Sequence, residues 1–189
     1  MSRAKPLHDP QVLRAIAHPV RNRILAELDA RGSLRAADLA RELNIPANQA
    51  SFHLRQLAKY GLIEEDPAAA RDKRDRVWRV SNAGGFSVEM RDMEQQPGGK
   101  AASRVFRQNK RAWGHVVVDA VLSDRRATGT QSTLTDTALM LSKKEAAELS
   151  EELDDVIQRW ADRTRGGGED RITYLYYAAL LPYPAVEAE

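Results

Sequence analysis

Apolar residues recur every three or four positions through the first sixty residues, which is the period of an α-helix. Asp9-Pro10 predicts the first helix start, because an Asp side chain caps a helix and the missing N–H of proline costs nothing in the first turn. His18-Pro19 interrupts the pattern, and a second apolar face continues to Arg31-Gly32. We therefore expect two short helices between residues 10 and 31.

Two further helices are predicted on either side of a short turn at Asn44. Ser33 is the predicted cap of the third helix, and Pro46 begins a fourth that ends near Tyr60, just before Gly61. One side of this fourth helix is apolar and the other is polar or aromatic. The apolar side consists of Ala50, Leu54 and Leu57.

A charged hairpin is predicted after the fourth helix, with strands at Leu62 to Glu65 and at Val77 to Val80. Two glycines stand together at Gly84-Gly85, and residues 95–99 consist of glutamine, proline and glycine. These two segments predict a linker zone. We therefore assign residues 1–85 to a first domain and residues 86–189 to a second.

The second region is predicted to combine two amphipathic helices with two strands. One helix covers residues 101–122, and the other opens at Ser142, which forms a capping-box pattern with Glu145. Thr137 to Leu141 and Arg171 to Leu181 are the predicted strands. The apolar stripes that we expect to hold a dimer together are Val105, Phe106, Trp113, Val116 and Val117 on the first helix, and Leu149, Leu153, Val156 and Trp160 on the second.

Aromatic residues are frequent in this second region. They admit two interpretations, a hydrophobic core or the lining of a pocket for an apolar small-molecule effector, and we favour the core. The residues concerned are Trp113, Trp160, Tyr174, Tyr176 and Tyr177.

Helices followed by a two-stranded hairpin are the plan of a winged helix-turn-helix, in which one helix enters the major groove of DNA. Residues 37–45, 50–57 and 61–63 resemble the ArsR-type winged-helix regulators, and residues 76–80 resemble their returning wing strand. The sequence departs from that family at Pro46, where Ser or Thr is common, and at Asn44, where glycine is usual. The resemblance implies an α+β, mainly α protein with an N-terminal winged helix-turn-helix.

The resemblance also places the base-reading residues in the first turns of the fourth helix, at Ala47, Asn48, Gln49, Ser51 and Phe52. Asn and Gln side chains pair with adenine edges through two hydrogen bonds. Arg55 and Lys59 lie further along the helix and are predicted to contact phosphates. His53 has two interpretations, a phosphate contact or a partly buried histidine bonded to a neighbouring backbone group.

The hairpin loop corresponds to the wing, which contacts phosphates or reaches into the minor groove. Asp72 and Asp75 reduce its positive field, so a merely solvated hairpin tip is the alternative. Its basic residues are Arg71, Lys73, Arg74 and Arg76.

The distribution of charge along the chain favours a polyanionic partner for the first region. Residues 1–85 carry 15 Lys and Arg against 10 Asp and Glu, whereas residues 86–189 carry 14 against 17. A basic first half is typical of proteins that bind nucleic acid.

Several other classes of protein are excluded by what the sequence lacks. Cysteine is absent, and no two of the four histidines are spaced three or four apart on one helix, so we expect no metal and no cofactor. Without a phosphate-binding glycine loop or a nucleophile elbow, we do not expect an enzyme. No apolar run approaches the roughly 20 residues that cross a bilayer, and residues 1–10 lack a signal-peptide core, so we expect a cytoplasmic protein.

These patterns together predict a transcriptional regulator that binds double-stranded DNA as a homodimer, with repression as the expected mode. The alternative is a winged helix that serves protein contacts. The polar exposed side of the fourth helix argues against this alternative, because protein contacts favour apolar anchors.

Overall fold

The structure is a computed structural model that describes residues 5–71, 76–82, 84–123, 129–168 and 170–184. It is a mainly helical α+β fold with two small sheets. The first half of the chain contains β1 (Lys5–Pro6), α1 (Pro10–Ala17), α2 (Pro19–Arg31), β2 (Leu34–Arg35), α3 (Ala36–Leu43) and α4 (Ala47–Lys59). The remainder contains β3 (Ile63–Glu65), β4 (Val77–Val80), β5 (Phe86–Ser87), α5 (Met90–Gln95), α6 (Gly99–Leu122) and α7 (Lys143–Thr164).

The predicted limits of the first two helices are confirmed. Asp9 caps α1, since its Oδ1 accepts a hydrogen bond from the backbone N–H of Gln11 at 2.7 Å. Gly32 ends α2 with a φ of +82°, and its N–H donates to the Leu28 carbonyl at 2.9 Å. Proline at the start and glycine at the end thus set both limits, as their backbone preferences require.

The predicted cap of α3 is wrong. Ser33 does not cap this helix, because the next two residues form β2 and the helix begins only at Ala36. Arg35 precedes the helix, and its Nε donates to Asp38 Oδ2 at 2.9 Å. The Ser33 hydroxyl instead donates to Asp66 at the end of β3. Leu34 and Arg35, which the local pattern assigns to the helix, therefore form a strand because they pair with β4.

The winged hairpin lies in a three-stranded antiparallel sheet of order β2-β4-β3. In its register Leu34 faces Trp78, and Ile63 faces Val80. Trp78 is buried, which attaches the hairpin to the helical core. The core side chains with no exposed surface include Ile24, Leu28, Leu39, Leu54, Leu57 and Leu62.

The first structural unit extends beyond residue 85, where the sequence predicts a domain boundary. Leu13 of α1 packs with Met93 and Ala102, which belong to α5 and α6, and all three are buried. β1 also pairs in parallel with β5. By contacts, the first unit reaches Ala112 and includes Thr164–Thr173, and the second contains Trp113–Arg163 and the residues from Tyr174 onward.

Residues 164–173 contact α2 through the polar side chains of Arg165 and Thr173. The Thr173 hydroxyl donates to Glu27 Oε2 at 2.7 Å, and Glu27 also accepts from Arg23 Nε at 3.0 Å. Arg165 Nη1 lies 3.1 Å from Asp29 Oδ1. The hydrogen bonds from Arg23 and Thr173 satisfy the carboxylate of Glu27, which is fully buried. Burying this carboxylate without partners would cost free energy.

In the second unit, the predicted helix start at Ser142 is confirmed. The Ser142 N–H donates to Glu145 Oε2 at 2.7 Å, and the Glu145 N–H donates to Ser142 Oγ at 3.2 Å. This reciprocal pair is the capping box, and α7 follows directly. No helix of the described part of the chain is both long and apolar enough to cross a membrane.

The two strands predicted for this unit are wrong. Residues 137–141 and 171–181 adopt no strand, because neither segment pairs with another strand of the described structure. A β-strand needs a neighbour for its backbone hydrogen bonds, so apolar composition alone does not produce one.

The preferred interpretation of the aromatic residues as core is wrong for four of the five, whereas Trp113 is half-buried. Trp160 and Tyr174 are more than half exposed, and Tyr176 and Tyr177 are similarly exposed. None of the residues of α7 is buried. The predicted apolar seam is therefore present on this helix, but the described part of the chain does not bury it.

Candidate nucleic-acid interface

Helix α4 has two distinct sides. Ala50, Leu54 and Leu57 have no exposed surface and anchor the helix in the core of the first unit. Residues on the opposite side are exposed because they lie about half a helical turn away from this stripe. The side that is free to meet a partner is therefore the polar one.

The turn before α4 is built as the sequence predicts. Asn44 adopts the left-handed conformation with φ 52°, and the Ile45 N–H donates to the Ala40 carbonyl at 2.9 Å. Pro46 provides no side-chain cap, yet α4 begins immediately after it at Ala47. The proline therefore does not displace the predicted helix start by more than one residue.

The predicted base-reading residues occupy the first turns of the exposed side. Ala47, Asn48 and Gln49 are exposed, Ser51 is half-buried, and Phe52 is 51% exposed. Asn48 Oδ1 accepts a hydrogen bond from the Gln49 N–H at 2.9 Å. The Asn48 carbonyl oxygen is thus engaged locally.

The predicted phosphate contacts lie further along the same side. Arg55 and Lys59 are both exposed, three and seven residues after Phe52. The Lys59 ammonium lies 5.9 Å from the centre of the Tyr60 ring, which places this charge over the last turn of the helix. Amide groups thus come first along α4 and cations follow.

His53 lies on the core side of α4 and is only 5% exposed. Its ring packs on that of His18, with 4.7 Å between the ring centres, and meets the edge of Phe52 at 5.4 Å. Neither ring nitrogen of His53 has a hydrogen-bond partner in the described residues. Of the two interpretations, burial is observed, but the predicted bond to a backbone group is not.

The surroundings of this histidine disfavour its charged form. Burial, followed by repulsion from His18 and Arg21, lowers the pKa of His53 below the usual histidine value. Burial and then the charge of Arg21 likewise lower the pKa of His18. Three basic side chains therefore meet where α1, α2 and α4 join.

The grouping of His18 and Arg21 with His53 does not follow from the sequence. The two imidazole rings approach from different helices, so no three- or four-residue spacing on one helix indicates the pair. The remaining local signal is the spacing of His18 and Arg21 at the first turn of α2. Among the described residues, no group of three or more metal-ligating side chains lies close enough together to hold a metal ion.

The wing is described in part. Lys73 and Arg74 lie outside the described residues, while Arg71 and Arg76 are exposed at its two ends. Arg76 Nε is 3.6 Å from Glu65 Oε1, a loose exposed pair. A hydrogen bond from Arg79 to Glu64, at 2.7 Å for the closest nitrogen, raises the pKa of Arg79 and ties this arginine to the hairpin itself.

Comparison with solved structures finds winged-helix and regulator proteins at low similarity. The YusO protein of Bacillus subtilis is 12% identical, with 78% of this chain and 79% of that chain covered and a TM-score of 0.35. The homodimeric winged helix-turn-helix DNA-binding domain of a possible ArsR-family transcriptional regulator from Mycobacterium bovis is 24% identical, with coverages of 62% and 86% and a TM-score of 0.32. Wild-type MarR from E. coli is 15% identical, with coverages of 78% and 88% and a TM-score of 0.34.

Sequence comparison identifies the first unit more directly. No curated protein sequence is significantly similar to the chain. The family model described as a helix-turn-helix domain matches residues 16–66, a range that contains α2, α3 and α4 together with β3. Residues 16–66 therefore form a helix-turn-helix domain, which the hairpin of β3 and β4 completes as a winged helix.

Proposed function

We propose that the protein is an ArsR-type transcriptional regulator that binds double-stranded DNA sequence-specifically through α4. The observation that carries this proposal is the exposed side of α4. Along it, amide side chains come first and cationic side chains follow, while the opposite side of the helix is buried in the core. A major groove about 12 Å wide admits a helix of this kind.

The proposed interface divides base reading from backbone positioning. Asn48 and Gln49 read base edges together with Ala47, Ser51 and Phe52. Contacts to phosphates, which set the register of a protein on DNA, come from more distant cations. These are Arg55 and Lys59 on α4, and Arg71, Lys73, Arg74 and Arg76 of the wing.

The composition of α4 favours DNA over a protein partner. Phe52 is the one large apolar side chain that this helix exposes, and polar or charged residues surround it. Interfaces between proteins depend on clusters of buried apolar and aromatic anchors. A single half-exposed phenylalanine is better suited to contact a thymine methyl group.

We also propose that the protein acts as a homodimer and represses transcription by occupying promoter DNA. The exposed apolar seam of α7 supports a second copy, since none of its residues is buried within the chain. Two copies would present two recognition helices about one DNA turn apart, roughly 34 Å. A small-molecule effector and a cytoplasmic location stay predictions.

The test measures binding to a selected site and to random duplex for the full chain. Gln49→Ala is expected to weaken binding to the selected site by about 1–3 kcal/mol and to leave random binding nearly unchanged, because only base contacts discriminate sequence. Gln95→Ala, an exposed glutamine at the end of α5, is the matched control and is expected to change neither.

Two outcomes would contradict the proposal. If Gln49→Ala weakened both kinds of duplex equally, α4 would not read bases with this side chain. If the wild-type chain bound neither duplex, DNA binding itself would be refuted and the protein-contact alternative would replace it.

A further inference from the structure

A group of basic side chains without an anionic partner lies beside the exposed face of α4. His18 and His53 pack ring on ring at 4.7 Å, and Arg21 follows His18 by three residues in the first turn of α2. His18 and Arg21 are half-buried, so the group opens to the surface through them. Phe52 joins it to the side of α4 proposed to face DNA.

The polar atoms of this group are buried and unused. Nδ1 of His18, Nε of Arg21 and both ring nitrogens of His53 have no hydrogen-bond partner in the described residues. Buried polar groups normally have partners, because leaving one unpaired costs free energy. All four atoms are donors once both imidazoles are protonated, so in that state they suit a ligand that accepts hydrogen bonds.

The N-terminus of α2 points to the sign of that ligand. His18 occupies the cap position but makes no capping hydrogen bond with its side chain, and the first turn of α2 contains no acidic residue. The first turn of a helix has a partial positive charge and favours anions. His53, nine-tenths buried and unpartnered, packs against this helix end from α4.

The electrostatics of the group agree with this sign. Besides burial, the charge of Arg21 lowers the pKa of both histidines, and His18 lowers that of His53. A backbone hydrogen bond at His18 opposes the shift of its own pKa, and Tyr60 opposes that of Arg21. Burial lowers the pKa of Arg21 as well as those of the histidines. Among the described residues, no carboxylate compensates this charge.

We infer that His18, Arg21 and His53 form a binding site for one phosphate group, which the backbone of bound DNA supplies. This inference rests on the proposed function and adds a third phosphate-contacting region to α4 and the wing. Phosphate oxygens accept hydrogen bonds from arginine and from protonated histidine. A free phosphate has the same chemistry, so the experiment separates the two sources.

Binding at this site is coupled to protons. A phosphate next to an imidazole favours the charged form, whereas burial without a phosphate favours the neutral form. The complex therefore takes up protons, and the affinity for DNA rises as the pH falls from about 7.5 towards the usual histidine value of about 6.5.

The experiment measures the affinity of the full chain for a duplex as a function of salt. R21Q is expected to reduce the slope of log K against log salt by about 0.9, the value for one lost phosphate contact, on selected and random duplex alike. R21K keeps the charge and most of the slope. R91Q, an exposed arginine on α5, is the matched control and leaves the slope unchanged.

A second arm compares the pH profile of affinity, for which H18Q is expected to show a weaker rise on acidification than the wild type. Circular dichroism shows whether R21Q folds. If it does not, the pH profile of H18Q alone tests whether the site binds a phosphate. A third arm measures the thermal midpoint with inorganic phosphate against chloride at equal ionic strength.

Equal salt slopes for R21Q and R91Q, or equal pH profiles for H18Q and the wild type, would overturn the inference while leaving DNA binding intact. If inorganic phosphate stabilised the wild type but not R21Q, and the salt slopes were equal, the site would take a free phosphate instead of the DNA backbone. A wild type that bound no duplex would refute both this inference and the proposed function.

Discussion

His18 and His53 couple the stability of the first unit to pH. Burial is the largest cause that lowers the pKa of each ring, so the folded chain resists a proton that the unfolded chain accepts. The contribution of these histidines to the free energy of unfolding therefore has its full value above pH about 6.5. It decreases as the pH falls from there through the lower pKa of the folded state. The decrease is at most about 1.4 kcal/mol per pH unit for each proton.

Urea denaturation of the full chain between pH 7.5 and pH 5.5 measures this effect in the absence of DNA. H53Q is expected to flatten the dependence, because it removes the more deeply buried of the two imidazoles. H115Q removes an exposed histidine of α6 and serves as the control. A wild-type stability that did not fall over this range, or an equal fall in H53Q, would contradict the prediction.

Among the secondary-structure elements, the turn between α3 and α4 sets the position of α4. Asn44 is the one described non-glycine residue with a positive φ, at 52°. Asn tolerates this conformation, whereas a β-branched side chain there is strained. Asn44→Val is expected to lower the free energy of unfolding by about 1–3 kcal/mol, the usual range for such backbone strain.

Chemical denaturation checks this prediction with two comparisons. Asn44→Gly is expected to be neutral or nearly so, because glycine adopts positive φ without strain. Ala37→Val, a nearby exposed position of α3 with ordinary helical backbone, controls for the introduction of a β-branched residue. Equal losses for the valine substitutions at positions 44 and 37 would show that φ is not the cause.

For the whole molecule, the exposed seam of α7 predicts a dimer that a single charge disrupts. Leu153 is 41% exposed and Trp160 56% exposed, although both lie on the apolar side of the helix. Burying a carboxylate at an apolar interface without a partner is costly. Leu153→Glu is therefore expected to raise the dimer dissociation constant by at least about tenfold, which corresponds to roughly 1.4 kcal/mol.

Sedimentation velocity of the full chain over a range of concentrations measures this constant. Gln158→Glu adds the same charge to another position of α7 and is expected to change it little. Circular dichroism establishes that both variants keep their helices. A wild type that is monomeric at every concentration would refute the dimer, and equal constants for the two variants would move its interface away from α7.

The helical half of the fold was readable from local chemistry. Asp9 and Gly32 limit the first two helices, Asn44 makes the turn, and Ser142 opens α7, because caps and turns depend on residues a few positions apart. The resemblance to winged-helix regulators added the role of α4. The individual DNA contacts of α4 and of the wing stay predictions. Two of the wing residues, Lys73 and Arg74, lie outside the described residues.

The amino-acid sequence by itself thus determined six of the seven described helices, all but α5, together with the hairpin and the polar side of α4, since each follows from periodicity and short-range capping. Only the tertiary structure decided that Leu34 and Arg35 pair with β4, that residues 171–181 form no strand, and that the ring of His53 packs on that of His18. Strand pairing and contacts between helices join residues that are distant in the chain. No local pattern specifies which distant partner is present, so these features depended on how the elements pack.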